Sequence, residues 1–239
     1  MNQTSQTPTL VNWLGYIAIA LLVVLPLAIL TVRSGAWQQG LVLLALSSLA
    51  AALVLAMAVI LMLLPRFVSW RKAIALRALY CIPGALIVIT MLQAGNYPRI
   101  HDITTNLQDQ PQFVAAQGRR GPTSNTLETA SETFLLQAEG YPELETLIVM
   151  EPMESVFDES IRAATDLGWE IYLQDRNAGI IEAVDTTMLM GFKDDIVIRL
   201  RPLANGTEVD LRSVSRVGIG DFGANAKRIK AFTQRLQPQ

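Results

Sequence analysis

His101 is the only histidine in the chain, and Asp102 follows it directly. An imidazole moves protons near neutral pH and a carboxylate can orient it, so this pair is the first candidate for acid–base chemistry. One histidine cannot build a His-rich metal site, and Cys81, the only cysteine, can form neither an intrachain disulfide nor a multi-Cys site. No metal and no cofactor is expected. The competing reading of His101 is an ordinary hydrogen bond along a sheet. A second group lies further on. Arg199 and Arg201 alternate with apolar residues, as do Arg212 and Arg216 with their neighbours. Side chains two apart on a strand share a face. The four arginines would then form a cationic strip able to hold carboxylate or phosphate in bidentate fashion. Glu170 and Glu182 could stand beside it, and the plainer alternative is a solvated face with weak cross-strand ion pairs. Asp221, Asn225 and Arg228 recur at helical spacing and share a third polar face.

Two further signals carry less. Asp194 and Asp195 are adjacent, so on a strand they point to opposite faces and cannot flank one substrate. They read as a turn before a strand. Ser213 and Ser215 have no nucleophile-elbow context. Gly218, Gly220 and Gly223 spell the G-x-G-x-x-G of a dinucleotide site. That fingerprint needs a βαβ unit with an acidic residue about 20 positions on, and only 16 residues follow Gly223, none of them acidic. No dinucleotide is expected. The glycines read as a turn out of a strand, with Asp221 accepting backbone N–H groups at the start of a helix. Such a start is also a natural anion site, but Asp221 would occupy its donors.

These residues need elements to position them. Residues 151–239 read as helix, four strands, helix. The first helix carries Val156, Phe157, Ile161, Ala164 and Leu167 at helical spacing. The strands begin near Trp169, Gly179, Asp194 and Thr207, and the first places Trp169, Ile171 and Leu173 on one face. Asn205-Gly206 marks the last hairpin. The final helix buries Ala226, Ile229 and Phe232. The expected fold is an α+β sandwich, a four-stranded antiparallel sheet with both helices on one face. Residues 96–150 are turn-rich, with a short helical run at 128–140, and read as an extended wrapping segment.

The charge distribution divides the chain. All 21 acidic residues lie at or after Asp102, and the first 97 residues hold five basic side chains. Residues 11–32, 39–64 and 73–93 are each apolar and about long enough to cross a bilayer, so residues 1–95 read as a three-helix anchor. The first ten residues carry no positive charge, which argues against a cleaved signal peptide. Pro83 and Gly84 lie in the third span, where neighbouring helices can re-satisfy the backbone. Ser47 and Ala51, and Ser48 and Ala52, are spaced for close helix approach. No Asp, Glu or His falls within a span, which argues against an ion pathway. Arg66, Arg71, Lys72 and Arg77 cluster between the second and third spans and place that loop in the cytoplasm. The N-terminus is then cytoplasmic and the domain after residue 95 is outside. The acidic domain argues against nucleic acid as a partner.

The blocks at 98–106, 168–171, 181–187, 192–202 and 209–229 resemble the family known as domain of unknown function 1499, over residues 97–236. The resemblance carries no established activity and implies an envelope or plastid protein; with the three spans and their basic residues, the expected location is the bacterial inner membrane, multi-pass, with a periplasmic domain. The expected function is a non-enzymatic binding or interaction module on the lipid bilayer, with an envelope protein, an anionic lipid or an acidic polymer as partner. One alternative binds a lipid or other amphiphile between sheet and wrapping segment. Another is a hydrolase or transferase using His101, Asp102 and the arginine cluster.

Overall fold

A computed structural model describes residues 7–93, 95 and 97–237. Residues 1–6, which the charge rule assigns to the cytoplasm, lie outside the described residues, as do Ala94, Asn96 and the last two positions. Contacts divide the chain into two units, residues 1–95 and 96–239.

In the first unit, three segments are long and apolar enough to cross a membrane: Thr9–Arg33, Trp37–Leu63 and Pro65–Gln93. The first two are the unbroken helices α1 (Thr9–Arg33) and α2 (Trp37–Leu63). The third is interrupted. A 3₁₀ turn at Pro65–Trp70 leads into α3 (Arg71–Ala78), and a second at Leu79–Cys81 leads into α4 (Ile82–Gln93). Proline lacks an N–H and its ring crowds the carbonyl four residues earlier, so Pro83 accounts for the second break. Arg71, Lys72 and Arg77, expected in the loop, are instead in α3, where the Arg77 guanidinium donates to Asn12 Oδ1 at 3.1 Å and to Ala73 O at 3.1 Å. Arg71 Nε donates to Met62 O at 2.7 Å and satisfies a carbonyl at the end of α2.

Small residues set the helix packing. Ser47, Ser48 and Ala51 are buried. A Cβ added at Gly84 would stand 2.6 Å from Ala51 Cβ and 3.4 Å from Ser48 Cα, so α4 meets α2 almost backbone to backbone.

The second unit holds a six-stranded antiparallel sheet among the described residues, where four strands were expected. β3 (Glu170–Asp175), β4 (Ile180–Thr186), β5 (Lys193–Leu203) and β6 (Gly206–Ser215) are the expected four. The additional strands, β1 (Asp102–Thr104) and β2 (Leu147–Val149), both come from the stretch expected to be irregular, and both pair with β6 on its free edge. The order is β1-β6-β5-β4-β3, with β2 further along β6. Three residues are too few to show alternation, which is why the sequence conceals them. A short helix, α5 (Ser131–Gly140), lies between them.

The inner face of the sheet carries Ile181, Ala183, Ile196, Ile198, Leu200, Val209, Leu211 and Ile103. They pack against Val156, Phe157 and Ala164 of α6 (Met153–Asp166) and Ala226, Ile229 and Phe232 of α7 (Ala224–Leu236). Trp169 stacks on Phe232 with centroids 5.4 Å apart. The face expected for β3 is corrected by a bulge. The register shift between Ile171 and Leu173 sets Ile171 opposite Ala183 and Leu173 opposite Glu182, so they lie on different faces.

Gly84→Val should lower the stability of the full chain in detergent by about 1–3 kcal/mol, the usual cost of overpacking, and Gly84→Ala by less. An unchanged melting temperature for Gly84→Val would show that α2 and α4 are not in this contact.

Candidate functional site: the covered outer face and the loop at 216–223

The arginines lie on the outer face of the sheet. Alternation places Glu182 of β4, Asp195, Arg199 and Arg201 of β5, and Glu208, Asp210 and Arg212 of β6 there, with Asp102 and Thr104 of β1 alongside. The face is not an open cationic strip; the expected cross-strand ion pairs form at Arg199–Asp210 and Arg201–Glu208, but most of the face is covered. Residues 105–130 cross it, and each arginine of the strip meets a carboxylate.

Arg212 is fully buried. Its Nε and Nη2 donate to the two oxygens of Asp102 at 3.0 and 2.8 Å. Nη2 also donates to Leu127 O at 2.6 Å and to Thr129 Oγ1 at 2.9 Å, while Nη1 reaches Pro111 O at 3.4 Å. The Phe113 ring lies 5.3 Å from the guanidinium carbon. Asp195, also fully buried, receives Arg216 Nε and Nη2 at 3.0 and 2.7 Å and Arg120 from the covering segment. The hydrogen bonds to Asp195 raise the pKa of Arg216, whereas burial lowers that of Arg120. Asp210 accepts from Arg199 at 2.8 Å, Arg201 at 3.0 Å and the hydroxyls of Thr105 and Thr146. Asp109 binds both Arg199 and Arg201, whose hydrogen bonds hold its carboxyl below the usual range. Glu182 is fully buried and accepts the consecutive backbone N–H groups of Val114, Ala115 and Ala116.

A second polar cluster closes one end of the inner face, and here Asn225 and Arg228 of α7 come together, while Asp221, expected on the same helix face, lies in the loop before α7. Asn225 Oδ1 accepts from Ser213 Oγ at 2.7 Å and Arg228 Nη1 at 2.6 Å. Its Nδ2 donates to Ser215 Oγ and to His101 O. Arg228 bridges Asp185 and Asp194 at 2.7 Å each. Asp194 and Asp195 are therefore part of β5 and not a turn before it, and they do face opposite sides. The side chains of His101 and Asp102 meet different partners. The His101 ring has Nδ1 3.4 Å from Ile219 O, while the Asp102 carboxylate is bound by Arg212 on the outer face. Ser213 Oγ touches Asn225 and Arg228, neither of which can take its proton.

The glycine motif is the loop from β6 to α7. Gly218 and Gly223 have φ of 94° and 78°. A Cβ at Gly223 would also stand 2.7 Å from the Tyr97 ring, so glycine is required there twice over. Asp221 accepts the N–H groups of Gly223 at 2.9 Å and Asn225 at 2.7 Å. These donors at the start of α7 are thus occupied by the chain's own carboxylate, whose pKa burial raises. The loop is pinned further by Asn125 Nδ2 to Gly218 O at 2.8 Å and by Asp221 N to Ile100 O at 3.2 Å. Two open grooves of about 570 and 560 Å³ lie elsewhere and are lined by none of the predicted site residues.

Sequence reasoning missed Arg120 and Asp185 altogether and did not join Asp195 or Asp210 to the arginines as partners. For Asp195 and Asp210 alternation was signal enough, since Asp195 shares a face with Arg199 and Asp210 with Arg212. For Arg120, in a turn-rich stretch, there was none.

Three apolar helical segments followed by a covered antiparallel α+β domain define the class of this protein. The sequence pattern of the family DUF1499, a protein of unknown function, matches residues 102–236, and the chain belongs to that family. No match is found among the curated proteins.

Removing one member of a buried ion pair leaves the other unpaired, at about 3–5 kcal/mol. Arg212→Met and Asp102→Asn should each destabilise the full chain by roughly this amount. The double variant should lose clearly less than the sum of the two, read from denaturant midpoints in micelles. Additive losses would show that the pair is not coupled.

Proposed function

We propose that the protein is an envelope module held in the bacterial inner membrane by three spans, N-terminus cytoplasmic and C-terminal domain periplasmic, and that this domain works by binding a partner and not by catalysis. The observation that carries this reading is where the ionic groups go. Arg199, Arg201, Arg212, Arg216 and Arg228 are bound to carboxylates of the same domain. A polar group already bound in this way is positioned for structure, since a substrate would have to displace a buried partner to reach it. The separation of His101 from Asp102 weighs against the hydrolase reading. Filling of the outer face by Arg212, Glu182 and Asp195 weighs against an amphiphile held between sheet and covering segment. The orientation is supported by Arg66, Arg71 and Lys72, which cluster at the start of the third segment.

Alkaline phosphatase, active only outside the cytoplasm, should be active when fused after residue 239 and inactive when fused after residue 69. The reverse pattern would overturn the orientation. The binding reading predicts that, where deletion of the chain produces a growth or envelope defect, His101→Gln corrects it as well as the wild-type chain does. Loss of complementation by a His101→Gln chain present at normal level would contradict it.

A further inference from the structure

One end of the domain combines three features that the ionic network does not explain. β4 ends there at Thr186, β5 starts at Lys193, β6 ends at Ser215 and β1 starts at Asp102, all in register. The first feature is apolar. Ile219 and Phe222, in the loop between β6 and α7, are 68% and 64% exposed. The second is conformational. Phe222 has φ of 54° and is the one non-glycine residue with positive φ among the described residues. A bulky side chain in that region costs energy and persists only where the surroundings fix it. The fixing contacts are those of Asn125, Ile100 and Asp221 given above, so the loop holds its two apolar side chains outward on a rigid base. The third is charge. Arg99, Lys193 and Lys227 are exposed around the loop, while Asp185, Asp194 and Asp221 at the same end are bound internally to Arg228 or to backbone amides.

We infer that the loop at 216–223 is a lipid-docking prong, with Ile219 and Phe222 entering the headgroup–acyl boundary of a bilayer and Arg99, Lys193 and Lys227 facing anionic headgroups. Apolar tips ringed by basic residues match the chemistry of that boundary, where apolar burial and attraction to anionic lipid add. A bilayer is also the surface at hand, because only three residues separate Gln93, at the end of the last apolar segment, from Tyr97. The inference rests on the membrane-anchored reading and not on which side of the membrane the domain occupies.

The test uses the full chain in lipid nanodiscs, with Cys81→Ala removing the native thiol. Nitroxide labels are placed singly at Ile219→Cys, Phe222→Cys and, as a control, Met150→Cys. Met150 is 74% exposed and adjoins the β5–β6 turn at the far end of the sheet. Labels at 219 and 222 should collide more with oxygen and less with a water-soluble nickel chelate than the label at 150. The difference should widen when phosphatidylglycerol is added to phosphatidylcholine discs. Accessibility equal to the control in both lipids would overturn the inference. So would shielding from oxygen and nickel alike, which would mean that protein covers the loop. Should Cys81→Ala fail to fold, amide exchange of residues 216–223 in the unaltered chain gives the same decision: it should slow in discs containing phosphatidylglycerol, and an unchanged rate would overturn the inference. The phosphatase fusions report on orientation whatever the labels show, so the two readings fail separately.

Discussion

The ion pair between Arg212 and Asp102 sets the conditions for the rest of the domain. A guanidinium with no exposed surface is tolerable only when its donors are satisfied, because stripping water from it costs several kcal/mol. Asp102 supplies two acceptors, but the others come from Leu127, Thr129 and Pro111 in the covering segment. The sheet therefore cannot bury Arg212 until residues 105–130 lie across it. The dependence is mutual. That segment is poor in large apolar residues and has little with which to hold itself in place. What holds it are Arg212, Asp195, Asp210 and the Glu182 carboxylate gripping three successive amides. β1 joins the two sides, since its Asp102 faces the ionic layer while Ile103 enters the apolar core.

The domain has two faces built on different physics. The inner face is ordinary apolar packing against α6 and α7, which any substitution of similar volume would partly tolerate. The outer face is a polar layer in which each partner is specific in direction and number. Such layers add less net stability than their contacts suggest, but they penalise wrong arrangements heavily. The charges of that outer face are committed to the domain's own architecture, whereas exposed apolar side chains gather on its loops. The loop at 216–223 is the clearest case, being pinned at its base and apolar at its tip.

Much of the architecture was legible because it repeats. The apolar runs, the periodicity of α6 and α7 and the alternation of β4 to β6 each span enough residues to declare themselves. β1 and β2 did not, because three residues paired to an edge carry no periodic signature. The bulge at Tyr172 was equally silent, since one extra residue reverses the face of all that follows without changing composition. The candidate site was half legible. Alternation grouped the arginines on one face, and helical spacing grouped Asn225 and Arg228, while Asp221 lies in the loop before α7 and meets Asn225 only through its backbone amide. What sequence could not supply was the partner of each charge, because Asp102 and Arg212 are 110 positions apart. An arginine strip looks the same in sequence whether it awaits a ligand or is already bound.

If the outer face is closed by the chain itself, hydrogen exchange at Val114, Ala115 and Ala116 must show it. These amides lie in no strand and no long helix, so without the Glu182 carboxylate they would exchange at the rate of an open loop. All three should be strongly protected in the unaltered full chain, and the protection should be lost together in Glu182→Ala while the amides of β5 stay protected. Loop-like exchange of these three amides in the unaltered chain would mean that the covering segment is not held on the sheet and that the arginines are open to a ligand after all.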